Sequence, residues 1–147
     1  MNLSERESRL RAPIIAYLQR RGFRHVMTEA QFYEHRIDVY AYSQRDNATV
    51  AIELKLSKWK KAVQQAILYQ LCADVALVAL PVKAASRVDL DLLRTHGIGL
   101  IAIAESGTCK EVLAPAKSDV LLPHYRVTYT NQLVASKTAK CQRSIRE

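Results

Sequence analysis

Two short runs rich in β-branched and aromatic residues, Arg36–Tyr42 and Ala48–Leu54, flank the polar cluster Gln44-Arg45-Asp46-Asn47. That pattern predicts an antiparallel hairpin. A helical stripe (Trp59, Val63, Ala66, Ile67, Leu71) follows, with Ser57 as its expected N-cap. Next comes the apolar run Val75–Leu80, closed by Pro81 as in a buried strand. Ala84–Thr95 reads as a helix stopped before Gly97, and Gly99–Ala104 and Glu111–Ala114 read as strands paired across Gly107. Ahead of the hairpin, Leu3, Leu10, Ile14 and Leu18 mark one helical face that ends at Gly22, with Ser4 as N-cap and Pro13 as a kink or a later start. His25–Ala30 is a weak strand. A hairpin followed by helix and strand alternation implies an α/β fold, a mixed central sheet with helices on its faces.

These elements fill residues 1–115 of 147. From Ala116 the pattern decays, and 116–147 is expected as a basic C-terminal appendage, partly mobile, carrying Lys117, Arg126, Lys137, Lys140, Arg143 and Arg146. The chain carries a formal net charge of +8 with 49% apolar residues, enough to bury a core and basic enough to favour an anionic partner. No apolar run reaches the ~18 residues that span a bilayer, so no membrane partner is expected. Met1–Arg11 is charged and lacks an apolar signal core. Cys72, Cys109 and Cys141 have no CxxC spacing and are expected as reduced thiols, consistent with a cytoplasmic protein. His25, His35, His96 and His124 show no ligand spacing.

The chemistry is concentrated in Asp38 and in Glu53-Leu54-Lys55. Residues two apart on a strand share a face, so Glu53 and Lys55 project together. With Arg45–Asp46 as the loop, Asp38 lies opposite Glu53. With Asp46–Asn47 as the loop, it faces Lys55 and has Glu53 on the diagonal. Two carboxylates that close repel unless a cation lies between them, and hard oxygen ligands suit Mg²⁺ or Mn²⁺. A lysine beside such an ion can orient a water or stabilise developing negative charge on phosphate. The ordinary alternative is a cross-strand ion pair on a solvated face. Ile37, Val39, Ile52 and Leu54 are expected to line a core on the opposite face.

Asp38 followed by Glu53-Leu54-Lys55 resembles the PD-(D/E)XK nuclease signature, with Ile37 in place of the proline. Gln65-Ala-Ile-Leu-Tyr69 is similar to the QxxxY motif of the helicase-associated exonuclease branch of that superfamily. The resemblance covers about Ser4 to Pro81 and implies a restriction-endonuclease-like fold and a metal-dependent deoxyribonuclease. It makes Asp38 and Glu53 metal ligands, with the Leu54 carbonyl a third, and Lys55 the catalytic lysine. Gln65 and Tyr69, at i and i+4, would sit beside the site and help place the substrate backbone; as ordinary helix surface they would have no role. Glu7 is the candidate leading-helix acid, or else half of a capping box with Ser4; Glu5 lies off the apolar stripe.

DNA contacts are expected from Lys58, Lys60 and Lys61 at the start of the second helix, where free N–H groups attract phosphate. Arg20, Arg21 and Arg24 form a second basic group. A solvated face is the alternative for both, and Trp59 reads as core more than as a base-stacking residue. The rival functions are a non-catalytic nucleic-acid-binding module on the same fold and a protein-interaction subunit. Duplex, branched and single-stranded DNA are not distinguished. Many nucleases of this size act as homodimers, although no interface is legible.

Overall fold

The structure, a computed structural model, describes residues 3–146 and the side chains of residues 5–136. In chain order the elements are α1 (Leu3–Ser8), α2 (Arg11–Arg20), β1 (His25–Phe32), β2 (His35–Ser43), β3 (Ala48–Leu54) and α3 (Trp59–Tyr69). There follow β4 (Val75–Pro81), α4 (Val82–Ala85), α5 (Leu90–His96), β5 (Gly99–Ile103), β6 (Cys109–Leu113) and α6 (Pro123–Arg146). The strands form one six-stranded open sheet in sequence order. β1, β2 and β3 are antiparallel, β3, β4 and β5 are parallel, and β6 returns antiparallel to β5. The expected α/β fold, a mixed sheet flanked by helices, is present.

Each face has its own core. Residues of α3, α4, α5 and α6 cover one face, where Ala62, Ala66, Tyr69, Leu93 and Tyr129 meet Tyr40, Ala51, Val78 and Leu100. On the other face Ile14 and Leu18 of α2 pack on Val39, Ile52, Leu54, Ala79 and Ile101. Helices on both faces explain why β3, β4 and β5 read as nearly unbroken apolar runs. Ile37 departs from the expected grouping, since it packs with Tyr40 in the first core and not with Val39.

The leading helix is two helices, broken at Arg9 and Leu10. Pro13 is the third residue of α2, where the first-turn N–H groups have no helical acceptor, so its missing donor costs little. Ser4 lies inside α1 and not before it, so it is not the N-cap. Ser57 does not cap α3 either. Lys58 holds that position without a side-chain hydrogen bond, while the Ser57 carbonyl accepts from Trp59 N–H at 2.8 Å. The expected single helix over Ala84–Thr95 is divided because Asp89 starts a new one, its carboxylate accepting from Asp91 N and Leu92 N.

The segment after Ala116 does not start as a free tail. Ser118 N donates to Asp74 O and Leu122 N to Leu71 O, which leads the chain into α6. Tyr129 and Leu133 are buried in the first core, and the Tyr129 hydroxyl donates to Gln31 O at 2.6 Å. Arg126 pairs with Asp74 at 3.0 Å. The side chains of Lys137, Lys140, Cys141, Arg143 and Arg146 lie outside the described residues. Cys72 and Cys109 are free thiols. Among the described residues no helix is long and apolar enough to cross a membrane.

Candidate functional site

β2 and β3 pair from Ser43↔Ala48 to Val39↔Ile52, around the four-residue turn Gln44–Asn47. One step further along that register, Asp38 lies opposite Glu53, the first of the two arrangements expected. The ladder ends there, and the Asp38 carboxylate takes over: its Oδ2 accepts the Leu54 N–H at 2.8 Å. The Asp38 side chain is thereby fixed by the backbone of the strand that carries Glu53 and Lys55.

Glu53 does not stand on an open face. It is 3% exposed, covered by the α3 layer, and its Oε2 accepts from the Tyr69 hydroxyl at 2.6 Å. That hydroxyl lies 3.2 Å from Arg36 O as well. Burial, then the adjacent Asp38 charge, push the Glu53 carboxyl up to about 9, although the Tyr69 bond and Lys55 pull the other way. Tyr69 is fully buried, so it meets Glu53 and is not open to a ligand, against the expectation that it would help place a substrate backbone. Burial and the neighbouring Glu53 raise its own pKa.

Lys55 projects at the end of β3, with Nζ 3.9 Å from Glu7 Oε2 and both side chains about one-fifth exposed (18% and 20%). Glu7 therefore faces the site; the Ser4 side chain, the other half of the expected capping box, lies outside the described residues. Glu7, Asp38 and Leu54 line an open cavity of about 310 Å³ together with Glu5, Arg11 and Glu29. Sequence reasoning missed Arg11 and Glu29. Arg11 has one faint signal, its position four residues after Glu7; its guanidinium lies 3.6 Å from Glu29, and its Nε is buried without a partner. Glu29 is flanked by the pairs Thr28↔Val39 and Ala30↔Ile37, so it stands across from Asp38. Its φ of 54° is left-handed, a conformation that side chains adopt at a cost of about 1 kcal/mol.

Among the described residues no three His, Cys, Asp or Glu side chains converge tightly enough to form a ready-made metal cage. The donor set nevertheless suits a hard divalent ion. Asp38 and Glu53 are adjacent carboxyls; burial raises the Glu53 pKa most, and the repulsion from Asp38 that adds to it is one that a cation between them would relieve. Leu54, whose carbonyl is the third expected ligand, holds Asp38 through its N–H, and Glu7 is paired with Lys55.

The remaining candidates divide. Gln65 lies one turn before Tyr69 on α3, and its Oε1 is buried without a hydrogen-bond partner. Lys58, Lys60 and Lys61 are exposed at the start of α3, without an ion pair among the described residues, and Lys60 Nζ lies 5.7 Å from the Trp59 ring. Trp59 itself packs against the first core. Arg20, Arg21 and Arg24 do not join the Asp38–Glu53 site. Arg20 ends α2 and the other two follow it, Arg21 engaged by the Tyr17 hydroxyl and by Glu111 at 3.6 Å.

No family model matches the chain, and no curated protein matches it. Among solved structures the chain is similar to the SPO1766 protein of unknown function from Silicibacter pomeroyi, with a TM-score of 0.63 and 22% identity. The likeness covers 92% of this chain and 88% of that one. At that identity it establishes the class alone: an α/β protein built on an open mixed sheet with helices on both faces.

Proposed function

We propose that the protein is a divalent-metal-dependent nuclease that hydrolyses DNA phosphodiester bonds, of the PD-(D/E)XK kind that its motifs resemble. The observation that carries this reading is the gathering of Asp38, Glu53 and Lys55 where β2 and β3 part. A bound Mg²⁺ or Mn²⁺ would polarise the phosphate and supply a water of lowered pKa. Asp38 and Glu53 would hold that ion, with the Leu54 carbonyl beside them. Leu54 N–H and Tyr69 O–H keep the two carboxyls from turning away, a supporting arrangement of the kind that tunes metal affinity.

Lys55 is kept at the site by Glu7, and its ammonium stabilises the negative charge that develops on the phosphate. Lys58, Lys60 and Lys61 follow immediately and supply sequence-independent attraction for the backbone. The test is a cleavage assay on linear duplex, branched and single-stranded DNA with Mg²⁺, Mn²⁺ or EDTA. The reading expects cleavage that EDTA abolishes. Tight DNA binding with no cleavage under any metal would replace it with the non-catalytic nucleic-acid-binding module.

A further inference from the structure

Arg24, in the link between α2 and β1, and Arg45, in the β2–β3 turn, meet across an open cavity of about 270 Å³ that is also lined by Gly22, His25 and Gln44. Gly22 makes this approach feasible. Its φ is +94°, and a Cβ there would come within 2.9 Å of Arg45 Nη2, so a side chain would drive the guanidinium off its seat. His25 is 8% exposed, and its Nδ1 is buried with no hydrogen-bond partner. An unpaired buried polar atom costs about 1–3 kcal/mol, and such atoms are uncommon unless something outside the chain satisfies them. The Arg24 side chain has no ion pair among the described residues. Asp46, 3.3 Å from Arg45 Nη2, offsets one of the two charges.

We propose that this cavity is a second phosphate-binding subsite, which takes a phosphodiester of a nucleic-acid backbone remote from the cleavage centre. The Arg24 fork, and the Arg45 Nη1 group left over from the bonds of its Nε and Nη2 to Asp46, can bind the oxygens of a phosphate in this small open space, and an adjacent imidazole can add a donor. The strand geometry gives it a place relative to the chemistry. From Asp38 to Ser43, next to Gln44, β2 takes five residue steps, about 17 Å. That is about half of the 34–36 Å turn of a duplex. One bound duplex could therefore span both places at once. The identification of the anion as DNA rests on the proposed nuclease reading; the cavity and its charges do not.

The test measures the salt dependence of affinity for a duplex oligonucleotide long enough to span both places, in EDTA, for wild type, Arg24→Ala, Arg45→Ala and the double variant. Arg87→Ala, which removes an exposed arginine outside the cavity, is the control for overall charge. Each cavity variant should flatten the slope of log K against log salt by about 0.9, and the double variant should lose about tenfold or more in affinity. Arg87→Ala should keep the wild-type slope. Unchanged slopes in the cavity variants, or an equal loss in Arg87→Ala, overturn the subsite. A parallel titration with inorganic phosphate separates the sources: phosphate binding that needs Arg24 and Arg45 while DNA binding does not would overturn the nucleic-acid assignment. If wild type fails to cleave DNA with Mg²⁺ but its affinity depends on both arginines, the nuclease reading fails and the subsite stands.

Discussion

The Tyr69 hydroxyl donates to Glu53 Oε2 at 2.6 Å and so joins the helix that carries the Gln65–Tyr69 motif to the strand that carries Glu53-Leu54-Lys55. In the proposed nuclease Tyr69 would be a positioning residue: its bond favours the charged Glu53, and its burial keeps it from substrate. Tyr69→Phe keeps the ring that fills the first core and removes this bond together with the 3.2 Å contact to Arg36 O. Mn²⁺ affinity, read by isothermal titration, should fall by about tenfold or more, as for other groups that orient a metal ligand. The acid limb of the pH–rate profile should move to higher pH, because the lost bond was holding the Glu53 carboxyl down. Unchanged Mn²⁺ affinity and an unshifted profile would mean that Tyr69 serves packing alone.

Glu53 makes stability depend on pH in an unusual direction. Its carboxyl is raised from 4.5 to about 9, chiefly by burial and secondly by Asp38. Between those values the folded protein keeps a proton that the unfolded chain has released, so stability falls as pH rises through the window, by at most about 1.4 kcal/mol per pH unit. Glu53→Gln removes this dependence and retains an acceptor for Tyr69. In EDTA the variant should melt above wild type at pH 8 and close to it at pH 4. Equal differences at both pH values would show that Glu53 ionises freely in the folded state.

Asp74 has the opposite sign. Burial raises its pKa, but hydrogen bonds from Arg126, Thr49 N–H and the Thr49 hydroxyl outweigh that, and the carboxyl lies below 3.8. The stabilisation is present above 3.8 and is lost as pH falls through the depressed folded value. Arg126→Ala should cost about 1–3 kcal/mol at pH 7 in urea unfolding, since the two side chains are only 17% and 15% exposed. That cost should shrink towards pH 2. A loss below about 0.5 kcal/mol would make the pair an ordinary surface contact and α6 a loosely attached helix.

The hairpin was legible because its signals agree. Residues 44–47 are all polar, the runs on either side suit a pleated strand, and β3 occupies the expected span Ala48–Leu54. The register that sets Asp38 opposite Glu53 followed from one of the two loop choices. The burial of Glu53 was not legible, because alternation alone does not say whether a helix covers that face of the sheet. α6 was overlooked for another reason: among the described residues its docking stripe is Tyr125, Tyr129 and Leu133, dispersed among polar residues whose composition resembles a tail. The partners of Asp74 and Arg11 come from distant segments, and no local pattern marks them.

The account turns on Lys55, which projects beside Glu7 and outside both cores. Losing it should therefore cost little stability, and one charge among 22 basic residues should contribute little to DNA affinity. A transition-state contact commonly contributes on the order of a hundredfold or more in rate. The most direct measurement is single-turnover DNA cleavage with Mg²⁺, comparing wild type with Lys55→Ala at matched DNA occupancy. The account predicts cleavage by wild type, and binding with cleavage slowed about a hundredfold or more in the variant. Cleavage by Lys55→Ala at the wild-type rate would contradict it.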